Sequence, residues 1–177
     1  MYVDQNPDVL RQAAVDGHVI ANHSYSHNYK NLYASSEAFI AELEHCNQVI
    51  TDVIGEAPPR ILRFPSGSTA VEMDRKPIIR QEIKAYLEEH GWRYFDWNVS
   101  FGDSLQNAPE PGSLAGSLNT SIDQLVAEGQ KDIIVLGHDI DGKHWTPDDL
   151  PLVIDHCRQN GYVFKVLTAD TPVCAFR

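Results

Sequence analysis

The sequence predicts an α/β fold built on parallel strands, and three observations predict it. Helix-period and strand-period segments alternate along the chain, each helical segment stops at a glycine, and each strand that follows is short and apolar. The 177 residues, 42% of them hydrophobic, suit one globular domain with a sizeable core, spanning residues 1–177.

Asn6-Pro7-Asp8 reads as a helix start: a capping side chain, a proline at the first helical position, then an acid near the positive end. That helix runs through Val9, Leu10 and Ala14 to Gly17, ahead of a strand His18-Val19-Ile20-Ala21-Asn22. Ser35 and Ser36 open a second helix whose apolar face uses Phe39, Ile40, Leu43, Val49, Val53 and Ile54. It closes at Gly55, Pro58-Pro59 block continuation, and Ile61-Leu62-Arg63-Phe64 follows as a strand. Residues 78–90 predict a helix ending at Gly91, before the strand Trp92-Arg93-Tyr94-Phe95. Ser113 or Ser117 begins another that ends near Gly129, and Asp132-Ile133-Ile134-Val135-Leu136 is the clearest buried strand. Thr146-Pro147-Asp148-Asp149 resembles a capped start, with an acid three residues after the threonine, and leads to Gly161 and a strand over 162–167.

Composition narrows the function. Lys plus Arg number 14 against 25 Asp plus Glu, a formal charge of -11, which repels phosphate backbones and argues against a nucleic-acid partner. No apolar run approaches the roughly 18–20 residues of a spanning helix, so no membrane span is expected in this chain. Cys46, Cys157 and Cys174 match no zinc knuckle or redox pair; the first two fall within helical patterns as ordinary small apolar residues. The first residues lack the basic start and apolar run of a secretory signal, which implies the cytoplasm if the sequence is complete.

Folds of alternating strands and helices gather their chemistry at the C-terminal ends of the strands. The first strand runs into His23-Ser24-Tyr25-Ser26-His27, two histidines four apart that reach one metal from one face of a helical turn, or else form a polar loop. The second ends at Arg63-Phe64-Pro65-Ser66-Gly67-Ser68, a rigid loop bearing a fixed charge, or a surface ion pair. The third ends at Asp96-Trp97-Asn98, a carboxylate beside a flat ring, with turn capping and core packing as the plain alternatives. The fourth ends at Leu136-Gly137-His138-Asp139, where His138 is either a core histidine or a proton donor in a dry pocket. Together these residues fit metal-assisted hydrolysis better than other reaction classes. There is no glycine-rich phosphate loop and no G-x-S-x-G elbow.

These motifs, in this order and approximate spacing, resemble the polysaccharide deacetylase family, which is carbohydrate esterase family 4 or the NodB-homology domain. Phe95-Asp96-Trp97-Asn98-Val99-Ser100 is most similar to the bacterial peptidoglycan N-acetylglucosamine deacetylase branch. The resemblance implies a distorted (β/α) barrel with fewer strands than the usual eight. It implies His23 and His27 as ligands of a divalent metal, Zn²⁺ first, with Co²⁺, Ni²⁺ or Mn²⁺ as alternatives. It further implies His138 as the general acid, Asp96 as the group orienting it, and Arg63 as the holder of the catalytic carboxylate. Trp97 and Leu136 would receive the acetyl methyl group, and Pro65 and Ser66 would line the substrate, the Ser66 N–H facing the developing oxyanion. The implied substrate is an N-acetylated glycan of peptidoglycan or chitin type, and the family's setting is secreted or cell-envelope.

One departure stands out. The family's Thr-Phe-Asp-Asp-Gly motif, which supplies the base and the third metal ligand, does not occur in these 177 residues. The chain is expected to lack the first strand or strands of the barrel. Asp4 and Asp8 read as helix-end charges, and Asp139 and Asp141 lie nearer the rim without a spacing that recommends them. Two rival expectations follow: a non-catalytic glycan-binding relative or inactive fragment, and a metal amidohydrolase acting on small amides.

Overall fold

The structure, a computed structural model, describes residues 5–70, 75–104, 109–140 and 142–176. Asp4 and Asp141 lie outside the described residues. The chain divides into two compact units, Met1–Asp96 with Val166–Arg177, and Trp97–Lys165.

In the first unit, α1 (Pro7–Val15) is followed by the short α2 (Tyr29–Leu32) and the long α3 (Ser36–Ile54). The start of α3 is set by Ser35, whose side chain accepts the Ala38 N–H at 3.1 Å. Its end is set by Gly55, which takes φ 85 and so adopts the left-handed cap without a Cβ penalty. Phe39, Leu43, Cys46 and Ile50 form the buried face of α3. They follow the helical period, as the sequence pattern required. β1 (Ile61–Leu62) pairs in parallel with β2 (Arg93–Tyr94), in the register Ile61 to Arg93 and Leu62 to Tyr94, and α4 (Pro77–Glu89) connects them. Asn22 bridges Leu62 on the other side, also parallel, so the end of the first expected strand lies beside β1. Leu43, Leu62, Phe64, Ile83 and Leu87 close the core of this unit.

The second unit holds β3 (Val99–Ser100), α5 (Ser113–Ala127), β4 (Val135–Leu136) and α6 (Trp145–Gln159). β3 and β4 are parallel, Val99 opposite Val135 and Ser100 opposite Leu136. Val99, Phe101, Leu114, Leu118, Ile122 and Val153 make its core.

Every expected helix is present, but the strands are shorter than the apolar runs suggest. His18 N–H closes the end of α1 on Ala13 O at 3.0 Å, so pairing begins only at Asn22. At the expected 132–136 strand, the Asn98 side chain takes the Ile134 N–H at 2.7 Å, and the ladder is confined to Val135–Leu136. Over 162–167 the chain forms no strand among the described residues. Tyr162 N–H is spent on Cys157 O at 2.9 Å, and Val163 and Phe164 stand 78% and 56% exposed. An apolar run becomes a strand only where a neighbour offers its ladder.

The start of α6 also differs from expectation. His144 occupies the cap position without a side-chain bond. Thr146 and Asp149, which looked like a capping box, are both used elsewhere. Asp149, 3% exposed, accepts the N–H groups of Gly112 and Ala115 at 2.8 and 3.0 Å and so caps α5 from α6. Asp149→Ala is therefore expected to lower stability by about 2 kcal/mol, since it strands two donors at a buried helix start. Urea unfolding of the two proteins measures the difference.

Candidate active site

The first unit brings a set of predicted residues to the ends of its strands. Arg63 N–H donates to Asn22 O at 3.0 Å, which fixes the two strand ends side by side. His23 follows directly, and its Nδ1 lies 2.7 Å from the carbonyl oxygen of Arg63. A carbonyl only accepts, so Nδ1 carries the proton and Nε2 becomes the ligating atom of the neutral ring. His27 sits with its ring centroid 5.0 Å from that of His23, tilted by 58°. Zn–N bonds of about 2.0–2.1 Å at a tetrahedral angle place two ligating imidazole centroids about 5 Å apart. The separation of the two rings matches that of two ligands of one divalent ion. Among the described residues, no group of three or more His, Cys, Asp or Glu side chains is placed to hold a metal.

Arg63 is partly buried, and its Nε is buried without a hydrogen-bond partner among the described residues. Burial pushes its guanidinium pKa down, and the charge of Asp96 pulls it partly back. A buried guanidinium N–H without an acceptor is costly. It suits a group awaiting a carboxylate or another anion.

The 64–68 loop is held tightly. Tyr33 Oη donates to Pro65 O at 2.8 Å, and Gly67 N–H to Phe64 O at 2.8 Å. Ser66 is exposed and takes φ 65, and Gly67 takes φ 84. A Cβ on Gly67 would fall 2.8 Å from the Phe176 ring, so the C-terminal tail packs against this loop where only glycine fits.

Asp96, fully buried, was expected to orient His138. Its oxygens are occupied within its own unit instead. Ser68 N–H and Oγ–H donate to it at 2.8 and 2.5 Å, and Phe176 N–H at 2.6 Å. A carboxylate with three such donors acts as a brace for the 64–68 loop and the tail.

In the second unit, His138 follows β4 as predicted, and the carboxylate it meets is Asp103. His138 Nδ1 is 2.7 Å from Asp103 Oδ1, and the His138 backbone N–H donates to Oδ2 at 2.7 Å. Thr146 Oγ1 donates to the same Oδ2 at 3.0 Å. Burial by itself would raise the Asp103 pKa, but the bonds from His138 and Thr146 outweigh it and hold the carboxyl below its ordinary value. Nδ1 is thereby the proton-bearing nitrogen toward Asp103. Leu136 ends β4 beside Ser100, and the half-buried Trp97 opens this unit. Sequence reading missed Asp103 and Thr146. The one available signal was an acid seven residues beyond Asp96, shortly after the same motif.

The polysaccharide deacetylase family model matches residues 1–95, more than half of the 177. The chain belongs to the polysaccharide deacetylase family. Within that family it is 23% identical, over 92% of its length and 55% of the relative's, to the peptidoglycan-N-acetylglucosamine deacetylase of Bacillus cereus. It is 28% identical to the chitin deacetylase of Colletotrichum lindemuthianum, over 76% of the chain and 49% of the relative. Among solved structures, the catalytic domain of the peptidoglycan N-acetylglucosamine deacetylase from Eubacterium rectale superposes with a TM-score of 0.86. That match is at 29% identity, over 98% of this chain and 76% of that one. The fold expected from the sequence, that of the NodB-type deacetylase domains, is borne out by this neighbour. The chain spans about half the length of the curated relatives it matches. Deacetylases of the polysaccharide deacetylase family are metalloenzymes. No helix among the described residues is long and apolar enough to cross a membrane.

Proposed function

We propose that the protein removes acetyl groups from N-acetylglucosamine units of peptidoglycan or chitin-like glycans, releasing acetate, in a metal-dependent hydrolysis. The observation that carries this reading is the His23–His27 pair, spaced for one ion and with Nδ1 of His23 seated on Arg63 O. The names of the relatives supply the substrate class. A secreted or cell-envelope setting goes with such a substrate.

His23 and His27 would hold the ion, for which zinc suits imidazole ligands best, with cobalt, nickel or manganese as alternatives. When bound, such an ion activates water near neutral pH and polarises an amide carbonyl. The base carboxylate and the third metal ligand belong to the family's Thr-Phe-Asp-Asp-Gly motif, which these 177 residues do not contain, and the chain's own residues would supply the other roles. Arg63 O keeps the His23 ring turned and its proton on Nδ1. The Arg63 guanidinium would hold the carboxylate that takes a proton from the attacking water. The Ser66 N–H, on a loop braced by Asp96, would donate to the developing oxyanion, a contribution of about 3 kcal/mol. His138 would give its Nε2 proton to the departing amine while Asp103 holds its other nitrogen. Pro65, Trp97 and Leu136 would bound the space around the acetyl group.

The test is acetate release from chito-oligosaccharides by the full-length gene product. A chelator is expected to abolish release, and added Zn²⁺ to restore it. Release from small amides but not from the oligosaccharides would replace this reading with a small-amide hydrolase. Glycan binding without any acetate would replace it with a non-catalytic relative.

A further inference from the structure

The loop that carries the two histidines belongs to no helix or strand over residues 23–28. It is held by side chains. Ser24 N–H donates to Asn22 Oδ1 at 2.9 Å, His27 N–H to Ser24 Oγ at 3.1 Å, and Asn28 N–H to Ser26 Oγ at 3.2 Å. Between these, the N–H groups of Tyr25 and Ser26 converge on a single atom, Glu42 Oε2, at 3.1 and 2.7 Å. Consecutive backbone N–H groups turned toward one point form an anion-binding nest. Here the anion is a carboxylate of the chain itself, and a charged acceptor makes the stronger bond.

The loop needs such a hold. Ser24 and His27 take φ 66 and φ 54, a conformation that L side chains keep only when their surroundings impose it. Glu42 stands on α3, whose place is fixed by its buried Phe39, Leu43, Cys46 and Ile50. The same stretch of α3 grips the residue before the loop: Asn22 Nδ2 donates to Leu43 O at 2.9 Å and to Asn47 Oδ1 at 2.8 Å. The helix therefore holds the loop at its root through Asn22 and, through Glu42, at Tyr25 and Ser26, which lie between His23 and His27 in sequence.

We infer that Glu42 is the positioning residue of the histidine pair: its carboxylate, bound to the Tyr25 and Ser26 N–H groups, sets the loop conformation in which His23 and His27 share one metal ion. In this role it acts on the ion only through the loop, by the bonds that Tyr25 and Ser26 make to its Oε2. This rests on the metal-site reading above. Groups that orient ligands from behind change metal affinity by about 10–100-fold when removed.

The experiment measures Zn²⁺ affinity of the full-length gene product by competition with a chromophoric chelator, together with the visible spectrum of the Co²⁺ form. Glu42→Ala is expected to weaken Zn²⁺ binding by about 10–100-fold and to alter the Co²⁺ spectrum. Glu42→Gln, which keeps an oxygen but not the charge, is expected to fall between it and the native protein. Native affinity in both variants overturns the inference, even if the metal-free melting temperature falls, because Glu42 would then serve the fold alone. If Glu42→Ala does not fold, Glu42→Gln is read alone: a loss of about fivefold or more supports the assignment, and a smaller one overturns it. His23→Ala separates the two levels. If that variant binds Zn²⁺ as tightly as the native protein, the metal-site reading itself is wrong, whatever Glu42 does.

Discussion

Alanine in place of His138 is expected to cut acetate release from chito-oligosaccharides by about 10²–10⁴-fold, the usual contribution of a positioned proton donor. The fold should survive the change. The His138 side chain is 37% exposed, and Asp103 beneath it keeps two of its donors when the imidazole goes. These are the backbone N–H of residue 138 and the hydroxyl of Thr146. A loss made only in the transition state lowers kcat and kcat/KM together. Steady-state kinetics with matched thermal melts distinguish this from unfolding. Turnover within threefold of the native protein would remove His138 from the mechanism.

Asp103→Ala should do the reverse damage, to stability first. Asp103 is fully buried and accepts from the His138 backbone, the His138 ring and Thr146. Removing it leaves those donors without their acceptor, a loss of about 3 kcal/mol. That should depress the melting temperature by on the order of 10 °C in a chain of this size. The pH dependence has a definite sign. Its carboxyl pKa lies below the ordinary value in the folded protein, so it binds a proton less readily there than in the unfolded chain. The stabilisation is present above the ordinary carboxylate range and is lost as pH falls through it to the folded value. Asp103→Asn should flatten this acid-side decline. Urea unfolding from neutral to acidic pH measures it, and an unchanged slope would show that Asp103 contributes nothing through its charge.

The helices were legible because their signals are local. Ser35, the buried face of α3 and Gly55 are read within twenty-odd residues, and the structure uses them as the pattern says. The histidine pair and the loop beginning at Arg63 were legible for the same reason: each motif is continuous in sequence. What could not be read is which side chain a buried carboxylate meets. Asp103 reaches His138 and Thr146 across 35 and 43 positions, and Glu42 reaches Ser26 across 16. Asp96 was expected to meet His138 because it ends a legible strand, whereas Asp103 follows β3, which the sequence did not announce, and only packing decides which acid His138 bonds. Thr146 and Asp149 failed in the opposite direction. Their spacing matched a local cap, and tertiary partners claimed both residues. The 162–167 run shows the limit for strands, since composition proposes an extended segment but cannot supply the ladder beside it.

The tail around Phe176 alters which edits to this protein are innocuous. Cys174 O accepts the Asp96 N–H at 2.7 Å, Phe176 N–H returns a bond to the Asp96 carboxylate, and the Phe176 ring lies over Gly67. Clipping a handful of residues there, by a protease or a badly placed fusion, would strip Asp96 of main-chain partners eighty positions away. The turn bearing Pro65 and Ser66 would then lose a wall and a tether at once. Anyone preparing this protein should treat Cys174 and Phe176 as fittings of the turn that carries Pro65 and Ser66.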